Sequence, residues 1–177
     1  TSPSMDILVS SNLERLIFHL LGNDAAKTKA LMEQLVSEGE YTLPDVDQSI
    51  LDLFEAGYAT EVETSAEIKR VYEASDYIED PHTAVASAVY QKYAERTGDK
   101  TPTVIASTAS PYKFPRVAVE AVSGQAPADD FVAVKELEKL SGVAIPKAVN
   151  GLETAEVRHK TVVATGDMQK AVENYLG

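Results

Sequence analysis

The stretch Ala106-Ser107-Thr108-Ala109-Ser110-Pro111-Tyr112-Lys113-Phe114 brings aliphatic hydroxyls, a phenol and a cation together in one short segment. It follows Thr103-Val104-Ile105-Ala106, a β-branched apolar run whose composition predicts a buried strand. In open α/β sheets ligands collect beyond the carboxyl ends of such strands. A small hydroxyl placed there can pair with a planar heteroaromatic ring without bringing a formal charge, and Lys113 can face an anion. The same spacing also describes a plain strand-to-helix turn capped by Ser110.

Other chemistries find less to build on. His19, His82 and His159 stand far apart, without H-x-x-x-H or H-E-x-x-H spacing, and the chain has no cysteine. A metal site lacks ligands on that pattern. The absence of cysteine also excludes a disulfide framework and fits a reducing compartment. No G-x-S-x-G, G-x-x-x-x-G-K-[ST] or G-x-G-x-x-G occurs, so nucleophile-elbow, P-loop and Rossmann chemistry have no sequence support.

The elements that must position the loop read mostly as helices. Leu13, Leu16, Ile17, Leu20 and Leu21 repeat at helical spacing and predict a helix from Ser11 or Asn12 to Gly22-Asn23. A second, from Ala25 to Ser37, ends at Gly39, and the two should form a hairpin. Asp47 is expected to cap a short helix through Ile50, Leu51 and Phe54, ended by Gly57, and Tyr58 to Val62 alternates weakly like a strand. Thr64 and Glu67 have capping-box spacing for a helix carrying Ile68, Val71 and Tyr72. Asp80-Pro81 opens another, with Val85, Ala86, Val89, Tyr90 and Tyr93 expected inward and Gly98 beyond its end. Helices are expected again from Pro115, over Asp129 to Leu140 and over Asp167 to Leu176, with Thr161-Val162-Val163-Ala164 as a strand.

That order predicts a helix-rich α/β chain with a mostly parallel sheet, because strands joined through helices need crossover connections. Buried strands must pair their backbone groups on neighbours. The few strand candidates here leave the sheet incomplete and call for others outside the sequence. The start, Thr1-Ser-Pro-Ser-Met-Asp-Ile-Leu-Val, reads as a truncation rather than a natural terminus.

Composition narrows the partners. The 177 residues are 44% apolar, enough for a folded core, and 16 Lys and Arg against 28 Asp and Glu give a net charge of −12. That field repels phosphate backbones and anionic membrane surfaces, so nucleic acid and membranes are poor partners. No apolar run approaches the roughly 20 residues that span a bilayer, and no secretory signal pattern is visible. A cytoplasmic protein is the expectation.

Four blocks carry a family resemblance. Thr1 to Leu16, Asp80-Pro81-His82-Thr83-Ala84-Val85, Ser107-Thr108-Ala109-Ser110-Pro111-Tyr112-Lys113-Phe114 and Val157-Arg158-His159-Lys160-Thr161-Val162-Val163 resemble successive motifs of threonine synthases in order and spacing. The resemblance covers nearly the whole chain. It implies the fold of the tryptophan-synthase-like class of pyridoxal-phosphate enzymes (fold type II), of which residues 1–177 would be one C-terminal region of the large cofactor-binding domain. It also implies conversion of O-phospho-L-homoserine and water into L-threonine and phosphate.

The family's Schiff-base lysine and its phosphate-holding loop lie upstream of the Ser-Pro-Ser-Met-Asp motif, outside this sequence. The resemblance therefore implies that the chain alone is inactive, needs the missing N-terminal part as its partner, and contributes no catalytic lysine. By the same resemblance Thr108 contacts the pyridine nitrogen of pyridoxal 5'-phosphate and Ser107 supports the loop. Lys113 and His82 are candidates for the substrate or cofactor phosphate, although Lys113 can equally lie along the start of the next helix, and packing against its turn is the favoured reading of His82. Ser110 departs from the histidine that many relatives carry there. Asn12 and Arg15 are expected to fix their helix rather than to touch substrate. Two other readings stay open: a non-catalytic acidic α/β interaction module, and a stand-alone enzyme using Lys113 as its Schiff base. The oligomeric state is not legible.

Overall fold

The computed structural model describes residues 7, 9–46 and 48–177. The expected cap at Asp47, and most of the opening block before Val9, lie outside those residues. The chain divides into two compact units, Thr1–Ala144 and Ile145–Gly177.

The first unit is helical. In α1 (Ser11–Leu20) the apolar repeat buries Ile17 and Leu20, and the helix closes where Asn23 turns left-handed at φ 64°. The Asn23 side-chain oxygen lies 2.8 Å from His19 Nδ1 across that last turn. Arg15 donates to Asn12 Oδ1 at 2.9 Å, a bond within the helix. In α2 (Ala25–Glu38) the Asp24 carboxyl accepts from the Lys27 N–H, and Gly39 ends the helix at φ 82°, a conformation that costs glycine little. The two helices pack together as the expected hairpin. The next, α3, is shorter than predicted and spans only Gln48–Leu51, leaving Phe54 exposed beyond it.

The core is built from α4 (Glu61–Ser75), α5 (Pro81–Thr97), α6 (Pro115–Ser123) and α7 (Asp130–Ser141), with α4 packed on α5 and α6, and α6 on α7. Ile68, Ala84, Ala118, Val119, Ala133 and Leu137 are buried among them. Each fully buried side chain the size of leucine is worth about 1.5–3 kcal/mol. Two phenols add ties: Tyr72 of α4 donates to the Leu140 carbonyl of α7 at 3.3 Å, and Tyr112 donates to the Val143 carbonyl in the chain after α7.

Two sequence expectations shift within these helices. The capping box of α4 is Thr60 with Glu63, whose Oε2 accepts from the Thr60 N–H at 2.7 Å, while Thr64 only returns its hydroxyl to the Thr60 carbonyl. The buried stripe of α5 is Pro81, Thr83, Ala84, Ser87 and Ala88 rather than Val85, Ala86, Val89, Tyr90 and Tyr93. Small residues let the α4 and α5 backbones approach closely. The larger side chains stand at the margins of that contact, half-buried.

The α/β expectation is corrected: no strand occurs among the described residues. Thr103 to Ala106 is irregular chain with Val104 95% exposed, Thr161 to Ala164 is likewise irregular with Val162 93% exposed, and Tyr58 to Val62 runs irregularly into the start of α4. β-branched composition favours extended backbone but does not supply the neighbouring strand that would satisfy it. Each candidate is separated from the next by helices and meets no ladder partner.

The second unit holds 3-10 turns at Leu152–Thr154 and Thr165–Asp167 and a helix, α8 (Met168–Leu176). None of its side chains is buried. Among the described residues, no helix is long and apolar enough to cross a membrane.

Candidate functional site

The hydroxyl loop is held from the N-terminus of α5. Asp80 is the N-cap there, with extended backbone (φ −72°, ψ 155°), and Pro81 follows in the first turn where a missing N–H costs nothing. The Asp80 carboxyl is almost fully buried. Its Oδ1 accepts from the backbone N–H of His82 at 3.0 Å and of Thr83 at 3.3 Å, and lies 3.2 Å from His82 Nδ1. Its Oδ2 accepts from the Thr83 hydroxyl.

Thr83 carries the link outward. Its Oγ1 lies 3.0 Å from Ser107 Oγ, across 24 residues of sequence. A hydroxyl has one proton. With that proton given to Asp80, Thr83 accepts from Ser107. On the other side of the loop Ser110 caps the 3-10 turn Pro111–Lys113 by accepting from the Tyr112 N–H at 3.3 Å, as the plain turn reading expected. Phe114 then enters α6, and its ring meets the His82 ring at 4.8 Å between centroids, tilted by 59°.

The structure therefore joins His82 and Ser107 to one buried carboxyl. Thr108 is exposed on the loop beside Ser107, and its hydroxyl has no hydrogen-bond partner among the described residues. Lys113 is exposed on the 3-10 turn, outside the Asp80 cluster. His82 is half-buried between Asp80 and Phe114. A groove of about 780 Å³ between α1 and α2, lined by residues including Arg15, Phe18, Lys29, Met32 and Val36, contains none of these side chains.

A second buried polar cluster was missed by sequence reasoning. Glu67, read there as a cap partner, is buried on α4 and accepts from Arg70 Nε at 2.7 Å and from Arg70 Nη2 at 2.6 Å. The Ser87 hydroxyl donates to Glu67 Oε1 at 2.5 Å. The Arg70 guanidinium holds the Glu67 carboxyl below the usual range, against the opposing effect of burial. Glu79, in the turn before α5, is buried, and its Oε2 has no hydrogen-bond partner among the described residues. Burial, reinforced by the Glu67 charge, pushes Glu79 up to about 7. The sequence signal was the Glu79-Asp80 pair before a proline-opened helix, where two acids cannot both cap. Among the described residues no group of three or more His, Cys, Asp or Glu is placed to hold a metal ion.

Comparison with known proteins gives this arrangement its context. The chain is 37% identical over 131 residues to threonine synthase of Corynebacterium glutamicum, covering 72% of this chain and 27% of the relative. It is 34% identical over 176 residues to threonine synthase of Saccharomyces cerevisiae, covering 88% and 33%. The crystal structure of PLP-bound threonine synthase from Brucella melitensis superposes with a TM-score of 0.60 at 36% identity, over 81% of this chain and 30% of that one. Residues 83–175, just over half of the chain, match the family described as "Threonine synthase, C-terminal", and the chain belongs to that family. It spans about a third or less of the length of these relatives.

Proposed function

We propose that this chain is the C-terminal part of a pyridoxal-phosphate-dependent threonine synthase, which converts O-phospho-L-homoserine and water into L-threonine and phosphate. Family membership supports the reaction, and the solved relative bound to PLP supports the cofactor. The observation that carries the reading onto this chain is Thr108: an exposed hydroxyl, unpaired among the described residues, on a loop whose neighbouring residue is tethered through Thr83 to a buried carboxyl.

These residues fit one side of the cofactor. Thr108 offers the pyridine nitrogen a neutral partner, and the loop is small enough at Ala109 and Ser110 to let a flat ring approach. Lys113 adds positive charge on the next turn, suited to attracting a phosphate. Its exposure, and the absence of any Gly-rich phosphate cradle beside it, argue for attraction at a distance rather than for a covalent anchor. When bound, the cofactor supplies the electron sink that lets protons leave Cα and Cβ of the substrate. This chain's part is to orient the ring and leave its nitrogen without a full charge partner. No lysine at the loop is placed as anchor, so the chain alone is expected to be inactive.

The test is Thr108→Val in the full-length enzyme. The variant should fold and melt like the parent, since the side chain is exposed, but turn over at least about tenfold more slowly, a loss of roughly 1.4 kcal/mol. Unchanged turnover would remove Thr108 from the site.

A further inference from the structure

We infer that Asp80 and Thr83 are positioning residues for the Ser107-Thr108 loop, acting through one directed chain of hydrogen bonds; the inference rests on the reading of Thr108 given above. Three observations carry it. The Asp80 carboxyl is buried at the N-cap and accepts two backbone N–H groups, so it is fixed in place by the helix itself. Its second oxygen takes the only proton that the Thr83 hydroxyl has. Thr83 is left as an acceptor, and the group 3.0 Å away is the Ser107 hydroxyl on an otherwise irregular, exposed segment.

The direction of the chain matters. Ser107 must spend its proton inward on Thr83, which fixes its side-chain rotamer and hence the backbone leading into Thr108. Thr108 has no hydrogen-bond partner of its own among the described residues, so its orientation is inherited from that neighbour. Asp80 thereby sets a hydroxyl that it does not touch. The segment before the loop holds it only loosely, with Val104 almost wholly exposed and Ile105 half-buried.

The test uses the full-length enzyme and reads cofactor affinity by titrating the apoprotein with pyridoxal phosphate, followed by absorbance, alongside thermal melting. Thr83→Val keeps the shape and removes the hydroxyl; it should weaken cofactor binding about fivefold, the worth of one hydrogen bond. Thr83→Ser should restore affinity to within about twofold, because it keeps the same oxygen and proton. Ser107→Ala should weaken binding as Thr83→Val does, and the double variant should be no weaker than either single one.

Additive losses, a Thr83→Ser variant as weak as Thr83→Val, or a Thr83→Val variant that binds as the parent does would each overturn the inference. If Thr83→Val does not fold, Ser107→Ala at the exposed end of the chain carries the same expectation, and parent-like binding by it overturns the inference equally. Thr108→Val separates the two levels. If it weakens cofactor binding while Thr83→Val does not, only the positioning role fails; if Thr108→Val both binds cofactor and turns over as the parent does, the site reading fails and takes the positioning role with it.

Discussion

Glu79 is where this chain should feel pH. Burial and the Glu67 charge raise its carboxyl from the ordinary 4.5 to about 7, with Ser87, Arg70 and Asp80 as the other groups facing it. A carboxyl raised in the folded state binds its proton more tightly there than in the unfolded chain. The stability it contributes is complete below about 4.5 and is lost as pH rises through about 7. The full loss is on the order of 3 kcal/mol at 1.36 kcal/mol per unit. Glu63 and Glu67, whose carboxyls are lowered by bonded cations, act in the opposite sense and weaken the fold as acid is added. Comparing the parent with Glu79→Gln cancels those contributions. The two should melt at similar temperatures at pH 5, and the variant should melt higher at pH 8; parallel melting curves across that range would mean that Glu79 is not the group responsible.

At the scale of elements, the corrected inner face of α5 makes its own prediction. Ala84 is buried where α4 and α5 meet, whereas Ala86 faces solvent. Ala84→Leu should cost about 1–3 kcal/mol by overpacking, and Ala86→Leu should leave stability within about 0.5 kcal/mol. Denaturant titration of both variants checks the pair, and equal effects would restore the face first expected. Some helix ends were legible because they are written locally: Asp80 caps α5 ahead of Pro81, and Gly39 and Gly98 close helices in the left-handed region, whereas the capping box expected at Thr64 lies at Thr60. The inner face of α5 was not legible, because small residues carry almost no periodic signal. The strands failed for a related reason. Val104 and Ile105 announce an extended preference, but pairing is a property of two segments and cannot be read from one. Thr108 and Ser107 stood out by type, whereas their dependence on Asp80 and Thr83 required the fold.

At the scale of the whole molecule, stability is uneven. Residues of α4 to α7 share the buried core, while the unit Ile145–Gly177 buries none of its side chains. Opening free energy follows buried contact. Amide hydrogen exchange should therefore find the α8 N–H groups exchanging far faster than those at the centres of α4 and α6, and comparable protection would show that α8 is held more firmly than its exposure implies. The family match nevertheless runs through this unit to residue 175. Val162, Val172, Tyr175 and Leu176 are all left facing outward. A stretch with no interior of its own is not subject to the rules of hydrophobic volume that govern Ala84 or Leu137. Exchanging it between family members should therefore leave the buried core of α4 to α7 intact.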